Sequence, residues 1–298
     1  MIKQALALCL LLAASTAHAA LNVLACEPEW AALVTELAGD RARVSSATKA
    51  LQDPHHIQAR PSLIARARNA DLLVCTGAEL EIGWLPLLQR ESGNPAIQPG
   101  QAGDFLAYRF VRMLDKPARL DRAEGDIHPE GNPHFISDPR NLLPVAAALA
   151  QRLAQLDPAN AAFYAARDQD FQKRMNAAIA RWQQQGANLR GAAVVVHHKN
   201  WIYLADWLGL KIVADLEPKP GIDPSAAYLA QLIRQMQDQP AKLILRAAYQ
   251  PGKPAAWLSG RTGIPAVELP YTVGDSGGAK DLFSLYDETL AKLMGALR

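Results

Sequence analysis

Residues 193–201 read Ala193-Val194-Val195-Val196-His197-His198-Lys199-Asn200-Trp201, an apolar β-branched run that stops at two histidines. A run of this length and composition is a strand, 193–197, and the pattern after it, 201–207, is helical. Outward toward the C-terminus come a strand at 211–215, a helix at 226–236, strands at 241–245 and 266–269, and a closing helix at 280–297. Strands alternating with helices at this spacing build βαβ units on a parallel sheet.

Toward the N-terminus the alternation recurs. A strand at 21–25 leads to a helix at 29–38 and a short strand at 42–46. After an irregular stretch, 52–60, come a helix at 62–67 and a strand at 72–75. Pro, Gly and Asp crowd residues 94–139, which read as loop with one strand at 108–113. Between the halves, residues 139–185 are rich in Ala, Leu, Gln, Arg and Lys with apolar positions at period 3.6. Asp157-Pro158 interrupts them, and Pro158 suits the first turn of a new helix. A helix over 159–185 would be about 40 Å long at about 1.5 Å per residue. No heptad repeat continues beyond it, so it reads as a spine. The expected fold class is α/β, two lobes with mainly parallel sheets joined by a long rigid backbone helix. The divisions are an N-terminal lobe 20–150, a linking helix 151–187 and a C-terminal lobe 188–298.

Residues 1–19 read as an export signal: Lys3 supplies the positive end, residues 5–14 an apolar stretch, and Ala17-His18-Ala19 a cleavage site. The apolar stretch is too short to span a membrane, and no later stretch approaches the required ~20 residues. Cys9 follows Leu8 inside the leader, which argues against a lipoprotein cleavage box. The mature chain is expected to be soluble and periplasmic. Against 29 acidic residues stand 31 basic ones, Lys3 among them. So even a balance gives no footprint for nucleic acid or an anionic membrane. Cys26 and Cys75 remain in the mature chain; an oxidising compartment permits a disulfide between them, and two packed thiols fit equally well.

Seven histidines occur, and six of them, outside the leader, fall into three clusters: His55-His56, His128 with His134, and His197-His198. Imidazole is the commonest neutral metal ligand near neutral pH. Three histidine sites meeting in space with one carboxylate would form a tetrahedral pocket for Zn²⁺. His55 lies in Asp53-Pro54-His55-His56, followed by Arg60-Pro61-Ser62 and a helix. His134 lies in Asn132-Pro133-His134, followed by Asp138-Pro139-Arg140-Asn141 and a helix. His198 directly follows a strand. In open α/β sheets ligands collect beyond the carboxyl ends of the strands.

These motifs resemble those of the zinc- and manganese-type substrate-binding proteins of metal ABC transporters. The likeness rests on the D-P-H loop with its P-S, the N-P-H and D-P-R-N segment, the run Val195-Val196-His197-His198 continuing to Tyr203-Leu204, and the loop Leu216-Glu217-Pro218-Lys219. It runs over essentially the whole mature chain. It implies two lobes on a helical backbone with the metal between them, and a ligand role for His55, His134 and His198. The family's fourth ligand is a carboxylate before the C-terminal helix, for which Asp281 is the best match and Asp275, flanked by Gly274 and Ser276, the competing choice. The resemblance further implies delivery of the ion to a membrane permease by a monomer that is not an enzyme. Many zinc-specific relatives carry a long His/Asp-rich loop ahead of the second ligand; here that loop is short and holds only His128.

The remaining candidates read more plainly. His56 is expected behind the ligands or in solvent, His128 on a mobile acidic surface loop with Glu124, Asp126 and Glu130 or assisting metal capture from it, and His197 packed or hydrogen-bonded at the strand end. Asp53 is placed to cap its loop or to hold a ligand imidazole. Glu79 and Glu81 follow the 72–75 strand, as acceptors behind the ligands or as solvated charges. Trp84, Trp201 and Trp207 read as core or lobe-interface packing. Three nitrogens and one oxygen favour zinc, with manganese the alternative if Asp281 and Glu79 both coordinated. Affinity should fall as protons compete below about pH 6.5. A zinc hydrolase is the rival class, but there is no H-E-x-x-H motif, and only Glu79 would serve as base. A metal chaperone or adhesin on the same fold is the other alternative.

Overall fold

The computed structural model describes residues 19–119, 125–274 and 277–297. The export signal expected over 1–19 falls almost wholly outside them. The first lobe is a parallel sheet of β1 (Leu21–Ala25), β2 (Ala42–Ser46), β3 (Leu72–Cys75) and β4 (Asp104–Leu106), in the order β2-β1-β3-β4. Helices α1 (Pro28–Ala38), α2 (Pro61–Arg68) and α3 (Leu85–Ser92) complete it. All four residues of β3 are buried, as expected of a parallel strand with cover on both faces.

The spine follows as α4 (Leu142–Leu156) and α5 (Ala161–Gln185). The second lobe has β5 (Ala193–Val196), β6 (Lys211–Asp215), β7 (Leu243–Ala247) and β8 (Ala266–Leu269), in the order β6-β5-β7-β8, again all parallel. Its helices are α6 (Ile202–Leu208), α7 (Ala226–Asp238), α8 (Lys253–Thr262) and α9 (Leu282–Ala296). Both sheets thus share one strand order, a kinship with no counterpart as a sequence repeat.

Helix α5 has 25 residues and is about 37 Å long. Its first half touches the first lobe: Arg167 donates to the Glu36 carbonyl at 2.8 Å, and Arg174 pairs with the Glu36 carboxylate. Its second half meets α9, where the Trp182 ring packs tilted against Tyr286 with centres 5.1 Å apart and donates its indole N–H to Asp287 at 2.6 Å. One apolar core runs through both lobes, from Val23 and Trp30 past Met175 to Val194 and Leu245. A shared core of this kind resists wide hinge opening.

Two expectations are corrected. The strand expected at 108–113 is a 3₁₀ turn, Ala107–Phe110, with extended chain after it, and the strand itself lies earlier, at β4. Asp104 disguised it: its carboxylate accepts from Gly100 N–H and Gln89 Nε2, so an acidic residue opens a buried strand. The strand expected at 241–245 runs two residues later. Helices α3 and α8 add to the expected elements; Pro86 and Pro254 stand in their first turns, where a proline forfeits only an N–H that has no intrahelical partner.

Cys26 and Cys75 form a disulfide, Cα atoms 4.8 Å apart. The β1–β3 register sets Ala25 beside Val74 and so brings these next residues together. No helix among the described residues is long and apolar enough to cross a membrane.

Candidate metal centre

The C-terminal ends of β2, β5, β6 and β8 bring their following loops to one place between the lobes. His55 comes from the loop after β2. Asp53 Oδ1 accepts from its backbone N–H at 3.0 Å and from its Nδ1 at 2.8 Å. The loop is pinned from below by Trp84, whose indole donates to the Pro54 carbonyl at 2.8 Å. His134 is fully buried. Asn132 Oδ1 accepts from its N–H at 3.0 Å, Asn132 donates to the Lys199 carbonyl at 2.8 Å, and the Tyr271 hydroxyl lies 2.7 Å from its Nδ1. His198 ends the extended chain after β5, and Glu217, in the loop after β6, accepts from its Nδ1 at 2.7 Å.

In each case Nδ1 is engaged and Nε2 faces inward. A carboxylate partner accepts a proton, so His55 and His198 carry theirs on Nδ1 and present a lone pair at Nε2. Donor atoms of His55, His134 and His198 all lie within 4.8 Å of one another. The Nε2 atoms of His134 and His198 are 3.2 Å apart. Two nitrogens bound tetrahedrally to one ion at ~2.0–2.1 Å would be about 3.3–3.4 Å apart. The spacing therefore suits a shared cation, and Asp53 and Glu217 behind the rings supply compensating negative charge.

His128 stands differently from its expected place on a mobile surface loop. Its ring centre is 5.5 Å from that of His55 and 6.3 Å from that of His134, and its Nδ1 lies 3.1 Å from the Ala78 carbonyl. Burial, then the charges of His55 and His198, push it down to about 3. Burial and the neighbouring histidines likewise hold His134 well below the ordinary imidazole value. His56 is exposed, and His197 is buried with Nε2 3.7 Å from Glu217.

The fourth ligand implied by the resemblance is not in this group. Asp281 is exposed at the start of α9, where its carboxylate accepts from the Phe283 and Ser284 amides in a capping box. Helix N-termini carry unsatisfied N–H groups, and Asp is among the best residues for them. Its slight burial raises the carboxyl, but the Ser284 and Phe283 bonds outweigh that and leave it below the usual carboxylate value. The competing Asp275 lies outside the described residues, as does Glu124. Glu79 is exposed in left-handed backbone, φ +64°.

Glu81 is buried; its carboxylate accepts from the Thr76 and Gly77 amides. Burial nevertheless pushes it up to about 7, and Glu27, buried beside it and facing the charges of Glu81 and Glu29, well above its usual range. Trp84, Trp201 and Trp207 are all buried in packing positions. Tyr271 and this buried glutamate group escaped the sequence reading. Tyr271 directly follows Leu269-Pro270 at the end of β8, so the rule that ligands gather beyond strand ends would have flagged it.

Two α/β lobes on a helical spine, with imidazoles from both brought together, make the architecture of a periplasmic metal-binding protein. The chain belongs to the family described as zinc-uptake complex component A, periplasmic (ZnuA), matching it over residues 23–296. Among its relatives is the high-affinity zinc uptake system protein ZnuA of Paracoccus denitrificans, 27% identical with 91% of this chain and 88% of that one aligned. Another is the iron-binding protein YfeA of Yersinia pestis, 25% identical over 88% of this chain and 83% of the relative. A crystal structure of ZnuA shares the fold at a TM-score of 0.77 and 22% identity, covering 94% of this chain and all of that one. So does the Mn-bound periplasmic metal binding protein of Candidatus Liberibacter asiaticus, at a TM-score of 0.75 and 19% identity over 93% of this chain and all of that one.

Proposed function

We propose that this protein captures Zn²⁺ in the bacterial periplasm and hands it, as a monomer, to the permease of an ABC-type importer. The ligands on which the reading rests are His55, His134 and His198. The observation that carries it is the convergence of donor nitrogens from three histidines whose Nδ1 atoms are each held from behind, two by carboxylates and one by a tyrosine hydroxyl. Partners of this kind fix ring orientation and raise ligand basicity.

Zinc is favoured over manganese because the donors are nitrogen and the nearest carboxylates sit behind the rings. Relatives and fold neighbours named for zinc, iron and manganese make the metal itself the point to test. Capture fits better than catalysis: Glu79, the base a hydrolase would need, is exposed and outside the histidine group. The stiff α5 and shared core favour release through loop rearrangement.

Elemental analysis and metal titration of the mature protein test the reading. One zinc per chain is expected, with binding lost in His55→Ala, His134→Ala and His198→Ala. Full-affinity binding by all three variants would end the proposal.

A further inference from the structure

We propose that Glu29 is a positioning residue of the metal centre: from the first lobe it holds the segment Tyr271-Thr272 of the second, and through Tyr271 it sets the orientation of His134. The inference rests on the three-histidine reading above and deepens it. Glu29 stands in the first turn of α1, and its Oε2 accepts from the Thr272 hydroxyl at 2.5 Å. The two residues are 243 positions apart, Glu29 in the first lobe and Thr272 after β8 in the second. Thr272 is joined to Tyr271, whose hydroxyl lies 2.7 Å from Nδ1 of His134. All four residues are buried, so bulk water does not compete for these bonds. The line leaves the first lobe at Glu29, passes through the second and returns at His134. A shift of one lobe against the other is therefore felt at the imidazole.

The next residue of α1 fixes the other side of His134. Trp30 packs tilted against Phe135, the residue after His134, with ring centres 5.8 Å apart, and donates its indole N–H to Thr76 Oγ1 at 2.8 Å. The first turn of α1 thus grips the chain at Phe135 with Trp30, and the segment behind the imidazole with Glu29. Tyr271 is confined by edge-on contacts with Trp201 and Tyr249, ring centres 6.3 and 5.2 Å away. The placement of its hydroxyl accordingly follows that of its backbone, which Thr272 anchors. The face of α1 that begins with Glu29 continues with Leu33 and Leu37, both buried. Packing alone would ask for a hydrophobe at position 29, since a buried carboxylate is costly unless hydrogen-bonded. Its polar contact across the lobes accounts for it.

The test is a double-mutant cycle on the zinc affinity of the full mature protein, measured by chelator competition, with Glu29→Ala, Tyr271→Phe and the pair. Losing a partner behind a metal-bound histidine costs about 10–100-fold, and each single variant should fall in that range. Because Glu29 acts through Tyr271, adding Glu29→Ala to Tyr271→Phe should cost less than about twofold more, whereas independent effects multiply. The cycle is run again with Thr272→Val, which removes the same bond from its other end and should give the same result, whether or not Glu29→Ala folds. Glu29→Gln keeps an acceptor for the Thr272 hydroxyl and should recover most of the affinity. Wild-type affinity in folded Glu29→Ala or Thr272→Val, or an equal fold-loss with and without the Tyr271 hydroxyl, overturns the positioning role. Lost affinity in His134→Ala beside either result leaves the three-histidine site standing. Wild-type affinity in His134→Ala overturns both.

Discussion

Glu217 Oε2 lies 2.7 Å from Nδ1 of His198, so the loop after β6 holds the imidazole that follows β5. The pair joins neighbouring strands of the second lobe, and the same oxygen accepts from Gly221 N–H at 2.8 Å. Glu217→Ala should lower zinc affinity about 10–100-fold, or ~1.4–2.7 kcal/mol. Glu217→Gln keeps an acceptor but loses the charge and should fall between the two. Chelator competition reads both; an unchanged affinity in Glu217→Ala would show that the pair does not tune the ligand.

Acid dependence should differ from that of free imidazole. Burial holds His134, and also His128, below the ordinary value, so these nitrogens stay free of protons when exposed histidines have begun to charge. Protons compete with metal only where a ligand binds them, so a lowered value moves the loss of affinity to lower pH. Zinc affinity should hold from about pH 7.5 to about 6.5 and fall only in more acidic solution. This shifts downward the threshold that the sequence alone suggests. A tenfold loss already complete at about pH 6.5 would contradict it.

The buried glutamates make the zinc-free fold sensitive to alkali. Glu81 titrates near 7 in the folded chain against 4.5 as an ordinary carboxyl, chiefly because of burial. Between those values the folded state keeps a proton that the unfolded state has released, so the contribution is full below 4.5 and is lost as pH rises through 7. Glu81 and Glu27 titrate as a pair, and the effect belongs to both. In Glu81→Gln, the loss of stability between about pH 5 and 8 should be smaller than in wild type by about 2–3 kcal/mol. Urea unfolding at several pH values measures it, and parallel curves for the two proteins would refute it.

The Cys26–Cys75 bond closes a loop with a sequence separation of 49 residues. Loop closure of that length stabilises the folded state by roughly 4 kcal/mol through the unfolded chain. The Cys26→Ala, Cys75→Ala double variant should unfold at correspondingly lower urea and still bind zinc, since neither sulfur is among the histidine donors. Lost zinc binding in a folded double variant would mean that the bond also shapes the site.

What the sequence disclosed, and what it hid, divides along physical lines. Apolar runs such as Val194–Val196 and Leu72–Val74 are strands because parallel sheets bury both faces, and that signature is local. The meeting of His55, His134 and His198 was legible because each sits in a short motif beside a regular element. The partly buried position of His128 was not: a histidine in an acidic Gly/Pro-rich loop looks solvated until the chain brings the Ala78 carbonyl to its Nδ1 and the His55 ring to within 5.5 Å of its own. Asp281 illustrates the reverse. Asp281 and Ser284 stand three apart ahead of an apolar run, the pattern of a capping box, and that local chemistry accounts for the carboxylate. Likewise β4 hid behind Asp104, whose carboxylate is satisfied by Gly100 and Gln89 in the fold.

The central claim is that one ion sits among inward-facing Nε2 atoms between the lobes. Anomalous diffraction at the zinc edge from zinc-loaded crystals tests it most directly. The account predicts a single strong peak about 2.0–2.1 Å from Nε2 of His55, His134 and His198. A principal peak away from these three nitrogens, with the group between them empty, would contradict it.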